Sequence, residues 1–481
     1  MRIGQTSAIV FVSTIIGSAI GFLATLYFAR ILGAEIIGIY ASIAAVASWL
    51  SLTGQLGVCG GIKKRLSEGS EQAEYLAAGI LMIVLIASIV IVFLIGTQPY
   101  LEAYISDFAE YSDISVVVFV SLFLVVKLFH SIVNSILQGY NLVHISGLLS
   151  PIKNGTNSLI KVLLVAGGFG LLGMLTGYIS GMIITSTIGL VFVTVSLKTP
   201  RKEHFKRVYD YAKYSWLGGL EKRAFNDIDI LVLTAFVPST LVGVYSVSWS
   251  ISKFLALFGS SIRKSMFPEI SRLSVEEDPK SATHLIEDSL AFGGLIIIPG
   301  LIGGVILAER LLQIYGPEFV QGAAVLGFLI LAVLIHSFQK LLTNVLNAID
   351  RPDISFRINL IFVIVNLVFN IILVWAYGWV GAAVATALSA VIGLALAYRS
   401  LQTIVPFMLP RSEIGYQVGA ALFMGGIVWV VLQSIETMEI IQHNVVTVLG
   451  LVTLGASVYF LTLYWISDRF RSTVLRNVSF P

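Results

Sequence analysis

Charged residues are scarce in this chain of 481 residues, of which Asp, Glu, Lys and Arg make up only 12%. Soluble domains carry roughly 25% charged residues. Here 57% of the residues are hydrophobic, and the mean hydropathy is +0.92. A water-soluble core cannot bury so much apolar surface, because surface grows too fast relative to volume. The composition therefore predicts an integral membrane protein that is solvated by lipid.

Several chemical features are also missing. The single cysteine, Cys59, excludes an intramolecular disulfide and any multi-cysteine metal site. The net charge of +3 is too small to indicate a nucleic-acid partner. The chain has no Walker A sequence, no GxSxG, no HExxH and no CxxC. We therefore expect no ATP-driven pumping by this chain alone, no resident cofactor or metal, and no enzymatic activity.

Long apolar segments fill most of the chain. A membrane helix needs roughly 20 apolar residues, and windows of that size give about fourteen candidates. They begin near residues 8, 36, 75, 114, 146, 171, 213, 240, 284, 322, 354, 380, 414 and 444. The predicted fold is an all-α integral membrane protein.

Basic residues are concentrated in alternate loops, which predicts the orientation, because cytoplasmic loops are enriched in Lys and Arg. Placing the N-terminus in the cytoplasm leaves Arg30 and Arg310 outside, where acids collect instead, as in residues 97–113. Both termini are therefore predicted to lie in the cytoplasm, with the protein in the cell membrane. The basic residues on the cytoplasmic side would be Lys63, Lys64, Arg65, Lys198, Arg201, Lys202, Lys206, Arg207, Arg263, Lys264, Arg272, Lys280, Arg399, Arg411, Arg469, Arg471 and Arg476.

The chain also contains a weak internal repeat. Residues 28–40, FARILGAEIIGIY, are echoed about two hundred residues later by 234–245, TAFVPSTLVGVY, which aligns Gly38-Ile-Tyr40 with Gly243-Val-Tyr245. In each copy a short turn, Leu32-Gly33 or Val237-Pro238, joins two apolar stretches. Duplicated bundles around a central site are typical of secondary transporters. We predict two parallel six-helix lobes, residues 1–200 and 201–405, and two additional helices with a cytoplasmic tail in 406–481.

Ionisable residues lie inside several predicted spans, where they usually face a cavity or a partner. Cations dominate, which suits an anionic ligand such as phosphate, while nearby asparagines could hydrogen-bond sugar hydroxyls. Less specific roles stay open: snorkelling at helix ends, interhelical packing for the histidines and asparagines, and ion pairs of Lys222 and Arg223 with Asp227 and Asp229. The predicted cationic cavity consists of Lys127, His130, Lys161, Lys222, Arg223, Lys253 and Lys340.

A family resemblance accompanies these patterns. Residues 28–33 followed by 38–40 resemble the first loop of polysaccharide-biosynthesis membrane proteins, the oligosaccharide flippases of the multidrug/oligosaccharidyl-lipid/polysaccharide (MOP) exporter superfamily. Residues 229–233, 242–245 and 266–272 resemble the start of their second lobe, and 377–383 resemble the beginning of helix twelve. The resemblance extends over about residues 5–400 and implies a polyprenyl-linked oligosaccharide as cargo. Arg30 and Asp229 match recurrent positions of the family, so Arg30 is a candidate headgroup or gate residue.

The leading prediction is a flippase that carries a polyprenyl-(di)phosphate-linked oligosaccharide from the cytoplasmic to the outer leaflet by alternating access. The carrier could be undecaprenyl or dolichyl, and glycan-assembly enzymes are expected partners beside membrane lipids. Asp227 or Asp229 could couple transport to H⁺ or Na⁺, or could simply form ion pairs. Lys127→Ala or Lys253→Ala is expected to abolish export.

Two alternatives remain at this point. One is a cation-coupled multidrug exporter of the same superfamily, although such exporters usually present acidic cavities. The other is a membrane glycosyltransferase or polymerase, for which residues 97–113 offer only a short acidic loop. A scaffold for glycan enzymes would not need buried lysines.

Overall fold

The computed structural model describes residues 3–194, 196–215, 217–276, 283–438 and 443–478. Lys280 lies outside these residues, as do the side chains of Arg263, Lys264, Arg476 and residues 266–268, for which the sequence made predictions. Within the described part, all regular secondary structure is helical. The predicted all-α membrane fold is thereby confirmed.

The chain divides into two compact units, Met1–Ser246 and Val247–Pro481. This division is not the one predicted from the repeat, and the lobes 1–200, 201–405 and 406–481 stay a prediction. The helices of the first unit are α1 Ile3–Gln55, α2 Val58–Ser67, α3 Gln72–Gly96, α4 Gln98–Tyr104, α5 Val116–Gly139, α6 Val143–Ala166, α7 Gly170–Val191, α8 Lys202–Ser215 and α9 Leu217–Phe236, and α10 Ser239–Glu276 begins there.

Among the described residues, eleven stretches are long and apolar enough to cross a membrane. One of them, Ala19–Gln55, contains a break and was predicted as parts of two spans. Helices α6 and α9 are not among the eleven, and both carry lysines and asparagines in the span. The count of fourteen membrane helices therefore stays a prediction, although a helix is present near each predicted start.

The turns predicted from the repeat are present in both copies. Helix α1 is interrupted at Gly33, whose φ of 81° and ψ of 174° are not helical. A residue with a side chain rarely adopts such a φ, so glycine permits the break. In the second copy, α9 ends at Phe236 and α10 begins at Ser239. Each turn therefore redirects the chain just before the shared Gly-aliphatic-Tyr sequence.

Gly38 and Gly243, the aligned glycines of the repeat, cross each other at very close range. A Cβ added to Gly38 would lie 1.8 Å from the carbonyl oxygen of Ser239, and one added to Gly243 would lie 1.8 Å from that of Ala34. Each clash falls on the residue four positions before the other glycine. The crossing of α1 with α10 is therefore reciprocal, and only glycine lets the two backbones approach so closely.

Helices α1, α3, α5 and α7 share the main core of the first unit. The ring of Phe123 on α5 stacks on Tyr178 of α7, with centroids 4.5 Å apart, and meets Tyr40 of α1 edge-on at 6.4 Å. At its start, α5 is capped by Ser115, whose hydroxyl accepts from the backbone N–H of Val117 at 3.3 Å. This packing fixes the rotation of α5 and with it the direction of its polar stripe, which consists of Lys127, His130 and Asn134 at helical spacing i, i+3 and i+7.

The second unit is built from two packed groups of helices. Helices α14 and α16 pack closely, with Leu401 and Val405 in a core shared with α14 and α15. Helices α17 and α18 form a separate core with α12 around Met424 and Tyr459. Its helices after α10 are α11 Thr283–Gly293, α12 Ile297–Ile306, α13 Ala308–Gln313, α14 Ala323–Ala348, α15 Pro352–Tyr377, α16 Trp379–Gln402, α17 Arg411–Met438, α18 Asn444–Ile466 and α19 Asp468–Val478.

Candidate anion-binding site

Two predicted cavity cations meet at one serine. Lys127 on α5 donates from Nζ to Ser48 Oγ on α1 at 2.5 Å, and Arg223 on α9 donates from Nη1 to the same oxygen at 2.7 Å. The second guanidinium nitrogen, Nη2, donates to Ser51 Oγ at 3.4 Å. An ammonium and a guanidinium carry more N–H donors than these hydroxyls can accept. The pair can therefore bind a further acceptor, and an anionic one most strongly.

Several cations lie near Ser48 in the part of the chain that the structure describes. Asp227, one turn after Arg223, places Oδ2 3.7 Å from Nη1. Lys127 lies within electrostatic range of Lys153 on α6 as well as of Arg223, and Lys153 lies within range of Lys222. Both members of the Arg223–Asp227 pair keep part of their side chains exposed, 31% and 21%. Within the described residues these interactions link four cations, and Asp227 is the carboxylate paired with Arg223.

His130 belongs to a directed chain of hydrogen bonds rather than to this cation cluster. Its Nε2 lies 2.9 Å from Asn134 Nδ2, and its Nδ1 lies 3.0 Å from Ser186 Oγ on α7. Asn134 Oδ1 accepts from Ser146 Oγ on α6 at 2.9 Å, and Ser146 accepts from Gln138 Nε2 at 3.2 Å. These bonds join α5, α6 and α7, and a role of His130 in ligand binding stays a prediction.

Lys161 is held by aromatic rings. Its Nζ lies 5.3 Å from the ring centre of Phe28 and 5.2 Å from that of Tyr40. A cation over the face of two rings is stabilised by their quadrupoles. Lys161 therefore has a local partner in the protein, and a role in ligand binding is not needed to explain its position.

The acids of α9 separate into two environments. Asp227 is half-buried beside Arg223, whereas Asp229 is buried and accepts a hydrogen bond from the hydroxyl of Tyr245, the tyrosine of the second repeat. Sequence reasoning missed Glu221, which is 3% exposed at the start of the same helix. Its position next to Lys222 was the available signal, but a carboxylate beside a lysine is usually read as a surface pair.

The polar interior of the second unit is built differently. Lys253 lies 5.3 Å from the ring centre of Trp249, and Lys340 is half-buried. His336 Nδ1 lies 3.3 Å from Gln339 Oε1, and Asn366 donates from Nδ2 to Thr386 Oγ1 at 3.2 Å. These neutral groups are buried, and Gln339, Asn366 and Thr386 are fully so.

The structure thus brings only part of the predicted set together. Lys127 and Arg223 donate to the same hydroxyl, that of Ser48, and Lys222 is exposed on the same helix as Arg223. Arg30 is exposed just before the break at Gly33. Two other predicted residues, His130 and Lys161, lie in the first unit but have different neighbours. The last two, Lys253 and Lys340, belong to the second unit.

Ser48 and Ser51 were not predicted from the sequence. Serines in membrane helices commonly bond to their own helix, as Ser51 does by donating to the carbonyl of Ser48 at 2.8 Å. Nothing in their spacing distinguishes a serine that also accepts from a cation on another helix. Among the described residues, no group of three or more His, Cys, Asp or Glu residues is arranged to hold a metal ion.

Comparison with known proteins identifies the family. The family model described as lipid II flippase MurJ matches residues 3–449. The chain belongs to the MurJ family. The resemblance to flippases of the MOP superfamily is therefore confirmed.

Relatives of this MurJ-family chain include two archaeal proteins from Haloferax volcanii. The "Probable flippase AglR" is 31% identical over 99% of both chains. The "Probable low-salt glycan biosynthesis flippase Agl15" is 27% identical over 89% of this chain and 90% of its own. The solved structure of "Lipid II flippase MurJ, inward closed conformation" has a TM-score of 0.78 at 17% identity and covers 98% of this chain and 99% of its own, which shows a shared fold.

Proposed function

We propose that this MurJ-family protein moves a lipid-linked oligosaccharide from the cytoplasmic to the outer leaflet of the cell membrane. The observation that carries the proposal is the shared Ser48 hydroxyl, which holds Lys127 and Arg223 side by side within an apolar helix bundle. Two relatives named as flippases, one of them for glycan biosynthesis, support a glycan cargo.

The cations favour a phosphate as the recognised group. Charged side chains inside a membrane protein carry a desolvation cost, so a positive cluster is retained where it has a negative partner. Asp227 offsets part of the charge, and a phosphate or diphosphate would offset the rest. Arg223 can bind two phosphate oxygens at once through its planar guanidinium, whereas Lys127 acts as a point charge.

The negative charge of the cargo could cross the membrane only while cations of the protein are paired with it. Transfer of an unpaired phosphate into hydrocarbon is prohibitive. Alternating access would expose the cluster first to the cytoplasm and then to the outside, while the polyprenyl tail stays in lipid. Under this proposal the protein carries out no covalent chemistry. Both termini lie in the cytoplasm, the carrier is an undecaprenyl or dolichyl lipid, and glycan-assembly enzymes supply the cargo.

The test uses cells from which the gene has been deleted. Their lipid-linked sugars would be extracted, and the leaflet that holds them determined with a membrane-impermeant sugar-oxidising label. We expect a complete lipid-linked oligosaccharide to accumulate on the cytoplasmic side, and wild-type protein to restore its labelling from outside. A variant with both Lys127→Met and Arg223→Met should insert into the membrane and fail to restore labelling.

Two other outcomes would contradict the proposal. A truncated glycan in the deletion strain would point to a glycosyltransferase or polymerase. An unchanged pool of lipid-linked sugars on both leaflets would favour the multidrug exporter, and a measurement of drug efflux in the same cells would then test that function directly.

A further inference from the structure

The hydrogen-bond chain around His130 has one consistent direction. Asn134 Nδ2 also lies 3.1 Å from the carbonyl oxygen of His130, so its amide nitrogen, not its oxygen, must point at the ring. Nε2 therefore accepts, and the ring is neutral with its proton on Nδ1. That proton is donated to Ser186 Oγ, which itself donates to the carbonyl of Met182 at 2.7 Å. Every donor from Gln138 to Ser186 has an acceptor.

Protonation of His130 would reverse part of this chain. A proton on Nε2 would meet the amide nitrogen of Asn134, so the amide would have to turn and present Oδ1 instead. Its Nδ2 would then face Ser146, whose hydroxyl oxygen would accept from it while the O–H bond rotates away from Asn134. The turned amide would also lose its bond to the carbonyl of His130 and place an oxygen there. The neutral ring is therefore favoured in this structure.

Charged groups on neighbouring helices connect His130 to the anion-binding site. Lys153 on α6 lies within electrostatic range of His130 and of Lys127, which is one turn before His130 on α5. Lys127 in turn lies within electrostatic range of Arg223 and Asp227 on α9. Tyr178 on α7 also lies within electrostatic range of Arg223 and Asp227. Helix α1 contributes the neutral hydroxyl of Ser48. Lys153 opposes a positive charge on His130, and a phosphate bound beside Lys127 would offset that opposition.

We propose that His130 takes up a proton when the phosphate group of the cargo binds beside Lys127 and Arg223. The proton comes from solvent and forms a bond to Nε2, with no other bond made or broken. The amide of Asn134 turns to accept from Nε2–H, and the α5–α6 contact through Ser146 changes its donor. This inference rests on the proposed function, and it links the binding of cargo to the uptake of one proton.

The experiment measures protons taken up per ligand bound by the full-length protein in nanodiscs. The probe is citronellyl-diphospho-N-acetylglucosamine, a diphosphate diester without a titrating group near neutral pH. Calorimetric titrations in two buffers with different ionisation heats give the proton count. We expect close to one proton taken up by wild type and none by His130→Gln, whose amide oxygen can still accept from Asn134. The matched control, His336→Gln, should behave as wild type.

A second measurement needs no variant. If one proton enters with each ligand, the affinity of the wild type should tighten by about tenfold for each unit that the pH falls between the pH at which His130 titrates with ligand bound and the lower pH at which it titrates without ligand. A proton count of zero with normal binding would overturn this inference and leave the proposed function standing. An unchanged count in His130→Gln would also overturn it. Absence of binding would contradict both the anion-binding site and the proton uptake.

Discussion

The polar groups inside the two units differ in charge and in exposure. In Met1–Ser246, the polar groups around Ser48 are mostly charged and keep part of their surface exposed, as the Arg223–Asp227 pair does. In Val247–Pro481, the fully buried polar groups on α14, α15 and α16 are neutral, among them Gln339, Asn366 and Thr386, whereas Lys340 on α14 is only half-buried.

The difference follows from the cost of burial. A neutral amide can be buried completely if its hydrogen bonds are made, whereas an isolated charge cannot. A cation that must bind a ligand therefore needs access to it, and partial exposure provides that access. The neutral buried groups of the second unit can serve packing between α14, α15 and α16, as expected for interhelical hydrogen bonds in membranes.

The strongest test of this contrast moves a charge into each interior. Asn366→Asp would put a carboxylate into a fully buried site next to Thr386, and we expect a loss of about 3–5 kcal/mol in the free energy of unfolding. Ser48→Asp would put the same charge between Lys127 and Arg223 and should leave the protein folded. Chemical denaturation in detergent measures both. Equal destabilisation by the two substitutions would break the contrast.

Removing the cations of the first unit should affect transport rather than folding. Hydrogen bonds to charged groups contribute about 1.5–3 kcal/mol each. Lys127→Met or Arg223→Met should therefore slow translocation of a fluorescent lipid-linked sugar in proteoliposomes by about 10- to 100-fold. Lys127→Arg, the matched control, should retain most of the rate. Normal transport by either Met variant would remove these two residues from the binding site.

Lys161 should show an intermediate effect. Its contacts with Phe28 and Tyr40 are of a kind that contributes about 0.5–2 kcal/mol, and a methionine would keep contact with both rings. Lys161→Met should therefore lower thermal stability slightly and slow translocation less than Lys127→Met does. A rate as low as that of Lys127→Met would restore Lys161 to the ligand-binding set predicted from the sequence.

The smallest effect is expected outside the membrane. The hydrogen bond from Arg65 lowers the pKa of Glu68, so the pair stabilises the folded state above the unfolded pKa of about 4.3 and loses this contribution as the pH falls through the lowered value. Because the pair is exposed, Glu68→Gln should change the free energy of unfolding by less than about 0.5 kcal/mol at pH 7. The difference should vanish in acid, which denaturation at several pH values can follow.

Sequence reasoning performed best where it depended on composition and on helix geometry. The membrane class, the helical fold and the family were all predicted, and the turns at Gly33 and at residues 237–238 are present. The stripe Lys127, His130 and Asn134 does lie on one side of α5 toward polar partners. These features follow from local spacing, which the sequence contains directly.

The partners on other helices could not be predicted. The bond from Lys127 to Ser48 joins residues 79 positions apart, and that from Arg223 to Ser48 joins residues 175 apart. Helical spacing specifies the face of each helix but not the neighbour that the face meets. For the same reason, the sequence did not predict that His130 is bonded within a chain of neutral groups or that Lys161 contacts two rings.

The reciprocal crossing of Gly38 and Gly243 has a consequence for how this protein can change over generations. If the two halves descend from one duplicated segment, most of their positions could drift apart independently, because each copy meets its own neighbours. These two cannot, since each faces the backbone four residues before the other. A side chain gained at either glycine would disturb the opposite half as well. A second substitution at the partner position could not make room for it, because that position is already a glycine and has no side chain to remove. Selection would therefore act on the two glycines as a single inherited unit.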